Sequence, residues 1–162
     1  MVHHFKNIFD DSINDVIKNF TITHKKGNFR DLYFNQYHKQ FVDLNDDIKN
    51  VMCDKIKEYL PDVNVELSYT RVNWVGPYTN VNDPYHTDYG YDVIFTYYYG
   101  EYDGGEFEWI EDGVTKKIKP ESGDCVLVIG NPHHRVLNVT NGDRYAIVTF
   151  FKSNLKKTPK LI

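Results

Sequence analysis

Two periodicities divide the chain. Up to about residue 62 the apolar positions recur at helical spacing, and from residue 63 to 151 they alternate as they do in strands. Ile13, Val16, Ile17 and Phe20 lie 3, 4 and 7 apart, on one face of a helix that Ser12 is placed to cap. A second helix is expected from about Asn45. Its Ile48, Val51, Met52, Ile56 and Tyr59 make one stripe, and Pro61, with no N–H to donate, ends it. Val63, Val65, Leu67 and Tyr69 then alternate with Asn64, Glu66, Ser68 and Thr70, the pattern of a half-buried antiparallel strand. Residues 72–85 carry Gly76, Pro77, Asn82, Asp83 and Pro84 and read as a loop. Further strands are expected at about 93–99, 106–110, 114–118, 125–129, 135–139 and 144–151. Turn signals at Asp103-Gly104-Gly105, Asp112-Gly113, Ser122-Gly123-Asp124 and Asn141-Gly142-Asp143 separate them. About eight short strands after N-terminal helices predict a mainly β fold, a double-stranded β-helix or jelly roll, with the helices over one sheet face.

Composition narrows the class. The 162 residues suit a single domain, 1–162, with residues 1–62 as helical support, 63–151 as the jelly-roll core and 152–162 as a solvated tail rich in Lys. Aromatic residues at 15% and hydrophobic residues at 41% exclude a disordered chain. A net charge of −4, with Arg30, Arg71, Arg135 and Arg144 as the only arginines, argues against nucleic acid as the partner. Cys53 and Cys125 have no metal-type spacing and read as buried thiols of a reducing compartment. No secretory apolar run follows Met1 and no stretch approaches 18 apolar residues, so a soluble, cytoplasmic protein without a membrane partner is expected. A monomer is compatible with all of this. His3-His4 reads as a frayed terminus.

The chemistry is concentrated in His86-Thr87-Asp88. Alternate residues of an extended segment share a face, so His86 and Asp88 can enter one cavity together. His133 or His134 can add a second imidazole, but not both, because neighbours on a strand face opposite ways. Two imidazoles and one carboxylate form the facial set that suits Fe(II) and leaves positions open. Asp88 would also reduce the net charge of such a centre. Arg144 offers a planar, permanently charged fork for a carboxylate. Taken singly these residues have ordinary structural readings, a satisfied histidine or an Asp that shapes a turn; the ordered set does not. Gly104-Gly105 is first of all a turn needing positive φ. No His-Glu-x-x-His helix is present, which argues against a zinc hydrolase.

At these residues the sequence resembles the 2-oxoglutarate and Fe(II)-dependent dioxygenases, in their prolyl/lysyl hydroxylase-like (prolyl 4-hydroxylase-type) branch. The resemblance covers roughly residues 64–151. It is carried by His86-Thr87-Asp88, by His134-Arg135-Val136-Leu137-Asn138-Val139-Thr140-Asn141-Gly142-Asp143-Arg144, and by Tyr97-Tyr98-Tyr99 and Gly104-Gly105. It implies His86, Asp88 and His134 as the iron ligands, with His133 at the rim. It further implies 2-oxoglutarate as cosubstrate, its 5-carboxylate on Arg144 with help from the Tyr98 hydroxyl, or from Thr96 if the strand register slips. Asn73 or Trp74, on the strand before the long loop, is a candidate further cosubstrate contact that the resemblance does not assign, and ascorbate is a candidate accessory reductant. The implied reaction hydroxylates an unactivated C–H bond, of a peptidyl prolyl or similar side chain, releasing succinate and CO2. Trp74, Tyr78, Tyr85, Tyr89 and Tyr91 are candidate rim aromatics, and the loops at 72–85 and 100–105 with the N-terminal part are candidate recognition surfaces. A non-catalytic metal-binding jelly roll, or a same-fold oxygenase for a small molecule or a nucleic acid, is the alternative. The demethylases of this fold tend to carry a second arginine downstream, and none follows Arg144.

Overall fold

The computed structural model describes residues 1–25, 39–41, 46–76 and 83–155, without the side chains of 20–25 and 39–41. Expectations for Arg30, Phe20, Asn45, Tyr78, the rest of 77–82 and the lysines of 156–162 lie outside the described residues. Helix α1 spans Asp11–Lys25 and α2 Asp46–Tyr59. The cap of α1 is Asp10 rather than Ser12: its Oδ1 accepts the Ile13 amide at 2.9 Å and the Ser12 hydroxyl at 2.6 Å. A carboxylate there meets the positive end of the helix, which a hydroxyl two residues later does not. The buried face of α1 is Asn14 and Ile17, and Val16 is half exposed. In α2 the stripe lies as expected, with Ile48, Met52 and Ile56 buried.

The described residues form eleven strands: β1 (Val2–Phe5), β2 (Lys39–Phe41), β3 (Val65–Val75), β4 (Val93–Tyr99), β5 (Tyr102–Gly104), β6 (Phe107–Glu111), β7 (Val114–Ile118), β8 (Cys125–Ile129), β9 (His134–Val136), β10 (Val139–Gly142) and β11 (Arg144–Ser153). They form a six-stranded sheet, β1-β8-β4-β11-β3-β2, a three-stranded sheet, β7-β6-β9, and the pair β10-β5. The architecture is mainly β and antiparallel, and it has the jelly-roll layering expected.

Three findings differ from the sequence reading. His3 and His4 are not frayed: they sit in β1, paired to β8, and His4 Nε2 is 2.8 Å from Asp124 Oδ2. The segment 72–75 belongs to β3, so the loop begins later. The stretch 135–139 is interrupted, because Val139–Gly142 leaves β6 to pair with β5.

A bulge in β3 sets the two faces. Tyr69 pairs with Phe150 but Leu67 with Phe151, so Ser68 is the extra residue. An extra residue reverses the phase of a strand. Hence Leu67 packs on the helix side while Tyr69 packs on the other, not alongside Val63 and Val65 as alternation alone suggests. The large sheet is therefore covered twice. Val93, Phe95 and Tyr97 of β4 with Tyr145, Ile147 and Phe151 of β11 bury against α1 and α2. Ile94 and Tyr98 with Ala146, Val148 and Phe150 face Phe107 and Trp109 of β6. Each such large side chain contributes about 1.5–3 kcal/mol by leaving water. The space between the two sheets is not filled at one end, and that gap is the site. Among the described residues no helix is long and apolar enough to cross a membrane. Cys53 and Cys125 are free thiols, both pushed up by burial.

Candidate metal centre and carboxylate pocket

His86 lies outside the named strands, in an isolated antiparallel bridge to His134. The two exchange backbone hydrogen bonds, His86 N–H to His134 O at 3.0 Å and the reverse at 2.9 Å. Their rings stand 4.6 Å apart between centroids. Each Nδ1 is 2.8 Å from the carbonyl of a proline two residues earlier, Pro84 for His86 and Pro132 for His134. A carbonyl only accepts, so Nδ1 carries a proton and Nε2 is the nitrogen left to face the cavity. This repeated Pro-x-His arrangement is visible in the sequence as Pro84-Tyr85-His86 and Pro132-His133-His134, and motif reasoning passed over it.

Asp88 is fixed through its backbone. Its N–H donates to Asn131 Oδ1 at 2.8 Å and its carbonyl accepts Asn131 Nδ2 at 2.9 Å. Asn131 stands at φ 53°, a conformation that Asn tolerates better than most residues. The Asp88 carboxylate is thereby turned to His134, Oδ2 to Nε2 at 3.0 Å. One donor atom from each of His86, Asp88 and His134 lies within 4.8 Å of the others. Burial raises the Asp88 carboxyl, but the hydrogen bond and charge of His134, with His86 and Arg71 behind them, bring it below its ordinary value. Burial likewise opposes an imidazolium at His134, and the bond and charge of Asp88 overcome it. A metal ion here would replace the shared proton.

These residues fit a ferrous ion. First-row metal bonds of about 2.1 Å at right angles put neighbouring donors about 3 Å apart, the spacing of the Asp88–His134 pair. Two neutral imidazoles and a carboxylate are the donor types that leave Fe(II) open positions. His133, the competing ligand, is exposed and its carbonyl accepts the Ile110 amide.

The triad opens on a cleft of about 770 Å³, including its mouth, between the two sheets. Arg144 lies at the inner end. It is 2% exposed, and its Nε has no hydrogen-bond partner. A buried guanidinium with an idle N–H fits an incoming carboxylate. Its plane sits 4.8 Å over the ring of Tyr98. Burial pushes the Tyr98 phenol up to about 12, against the pull of Arg144, so it remains a hydroxyl donor. Thr96, two residues earlier on β4, lines the same cleft without any slip of register. Tyr102 is beside Arg144 as well, its hydroxyl donating to the Pro120 carbonyl. Gly105, at φ 68°, makes room for this group: a Cβ there would stand 3.0 Å from Arg144 Cδ and from the Tyr102 ring. Gly104, at φ 72°, is a turn glycine whose Cβ would strike the Asn138 carbonyl.

Other expected residues scatter. Asn73 lines the cleft, with a buried Oδ1 that has no partner. Trp74 points the other way, toward the helices, and donates Nε1–H to Asp143 at 2.9 Å. It is neither a cosubstrate contact nor a rim residue; β3 alternation puts it opposite Asn73. Tyr85 is tied to Glu108 and lies under Arg135, and Tyr91 packs on Tyr69 and Phe150. Only Tyr89 of the described aromatics is open, at 95% exposure, next to Asp88. Asp83, noted in the sequence only as a loop residue, is in the cleft with Oδ2 3.8 Å from His86 Nδ1. Burial lifts its carboxyl above the ordinary value.

Residues 74–152 match the family model of the 2OG-Fe(II) oxygenase superfamily. That stretch is similar to a 2OG-Fe(II) oxygenase domain. The proteins of that family model are named for Fe(II) and 2-oxoglutarate, and the residues above fit both. A PKHD-type hydroxylase of Pseudomonas fluorescens (strain Pf0-1) is 41% identical over 58 residues, 34% of this chain and 26% of that protein. The match thus spans about a quarter of that relative's length. In fold, the chain is similar to a prolyl hydroxylase of Trichoplax adhaerens, solved with a peptide of the hypoxia inducible factor oxygen degradation domain. The TM-score is 0.72 and identity 17%, over 93% of this chain and 83% of the other. It is also similar to the collagen prolyl hydroxylase of Paramecium Bursaria Chlorella virus-1, with TM-score 0.69 and identity 17%, over 93% and 89%.

Proposed function

We propose that the protein is an Fe(II)- and 2-oxoglutarate-dependent dioxygenase that hydroxylates an unactivated C–H bond, of a peptidyl prolyl or similar side chain. What carries this reading is the convergence of His86, Asp88 and His134 at one end of a cleft whose other end holds a buried, incompletely bonded Arg144. When bound, the iron and cosubstrate supply oxidative decarboxylation of 2-oxoglutarate by dioxygen to succinate and CO2, coupled to hydroxylation of the substrate.

The chain's own residues supply geometry and dryness. The prolyl carbonyls aim His86 and His134 Nε2, and Asn131 aims Asp88. Arg144 takes the 5-carboxylate through its planar fork, with hydroxyls of Tyr98 and Thr96 beside it. Ile94, Phe107 and Val128 wall the cleft with carbon and keep water from competing for the charges. The substrates of the fold relatives, a peptide in one and collagen in another, support a peptide or protein as partner. Ascorbate as reductant and a cytoplasmic location are part of the same reading.

Anaerobic addition of Fe(II) and then 2-oxoglutarate should produce the weak visible charge-transfer band of the chelate, and admission of air should yield succinate. His134→Ala should lose both. A band and succinate that persist in that variant would refute the assignment.

A further inference from the structure

The cleft contains a second guanidinium that the reading above leaves unused. Arg71 comes from β3 on the same face as Asn73 and Val75, and it lines the cleft with them. Val75 pairs with Arg144 and Arg71 with Val148, so the two arginines enter four residues apart along the sheet, ~13 Å by strand rise. Arg144 therefore serves the inner end, and Arg71 the end at which the charge of Asp88 is felt. That is the end a substrate must reach to bring its C–H bond to the metal.

Arg71 is held in place but not satisfied. Its guanidinium lies 4.7 Å over the Phe150 ring and 6.0 Å from the Tyr69 ring. One terminal nitrogen donates to the Tyr69 hydroxyl at 3.2 Å, which fixes the plane. Its Nε is buried and has no hydrogen-bond partner. Among the described residues no carboxylate forms an ion pair with it. Asp88, whose carboxyl feels the charge of Arg71, is committed to His134. A stacked, partly desolvated cation with an open N–H edge binds an anionic oxygen better than a neutral one.

We propose that Arg71 anchors a carboxylate of the primary substrate, at the end of the cleft opposite Arg144. The proposal rests on the hydroxylase reading and specifies its substrate class: an acid, with the carboxylate close to the carbon that is oxidised. A backbone carbonyl within a chain would leave the charge of Arg71 uncompensated. The carboxylate can come from a free amino-acid derivative or from the C-terminus of a peptide, and the two are separable.

The test uses the full chain loaded with Zn(II) and 2-oxoglutarate, observing the arginine Nε–H signals by NMR, with Arg71→Gln to assign that of Arg71. Acetate should shift the Arg71 signal saturably and acetamide should not. N-acetyl-L-proline should bind at least about tenfold more tightly than N-acetyl-L-prolinamide, and Arg71→Gln should abolish the preference. Tighter binding of N-acetyl-L-proline than of Ala-Ala-Pro assigns a small acid; the reverse assigns a peptide C-terminus. An Arg71 signal unmoved by acetate, or moved equally by acetamide, overturns the proposal, as does preferred binding of Ala-Ala-Pro-amide. If 2-oxoglutarate itself fails to bind the Zn(II) protein, the reading of the whole site fails, which is a different result.

Discussion

Replacing Asn131 should separate the support of the metal centre from its ligands. Asn131→Ala removes both hydrogen bonds to the Asp88 backbone, at 2.8 and 2.9 Å, and forces alanine to φ 53°. Leaving a partly buried N–H and C=O unpaired costs about 1–3 kcal/mol, and the left-handed conformation about 1–2 kcal/mol more. Asn131→Gly removes the same bonds without the conformational cost. Alanine should therefore lower the melting temperature by roughly 4–20 °C for a chain of this size, with glycine less damaging by a few degrees. Metal affinity should fall about 10–100-fold in both, as when a second layer of support is lost from a ligand. Thermal melts with and without Co(II), and Co(II) titrations followed in the visible, measure the two effects. If Asn131→Gly binds Co(II) as the parent does, the backbone clamp is not what aims Asp88.

Arg144→Lys should weaken 2-oxoglutarate binding about 10–100-fold, because a point charge replaces a fork, with iron affinity nearly unchanged. Equal loss of iron in an equilibrium titration would make Arg144 a structural residue. Gly105→Ala should also weaken 2-oxoglutarate, by crowding Arg144 Cδ, and lower stability by about 1–2 kcal/mol through its φ of 68°; an unchanged cosubstrate affinity would contradict this. Lys116, at 2.7 Å, lowers the Glu111 carboxyl to about 2 from its ordinary 4.5. A depressed carboxyl stabilises above its unfolded value and stops doing so as pH falls through its folded one. The melting-temperature gap between the parent and Glu111→Gln should therefore be full at pH 6 and narrow by pH 3.

That His86, Asp88, His134 and Arg144 share one cleft was legible as an expectation, because the chemistry they suit demands particular side chains in a fixed order, whatever the packing around them. Strand positions were legible where one face is polar, as in Val114–Ile118. The phase of β3 was not, because the bulge at Ser68 is set by pairing with β11, which a local pattern does not contain. For that reason the choice between Asn73 and Trp74 was open in the sequence, while Arg71 fell into the cleft unannounced. The short strands β1, β2 and β5 owe their existence to neighbours distant in sequence, and their own three or four residues carry little signal. The capping role of Asp10 was hidden by a Ser two positions on that is an equally good cap by type.

Odd and even positions of β4 and β11 answer to different requirements. Phe95, Tyr97, Ile147 and Phe151 lean on the helices, whereas Ile94, Ala146, Val148 and Phe150 look into the cleft. A lineage drifting toward a new substrate can rewrite one set of letters while the other stays untouched. The same ribbon thus works as scaffold when read from one side and as a replaceable template when read from the other.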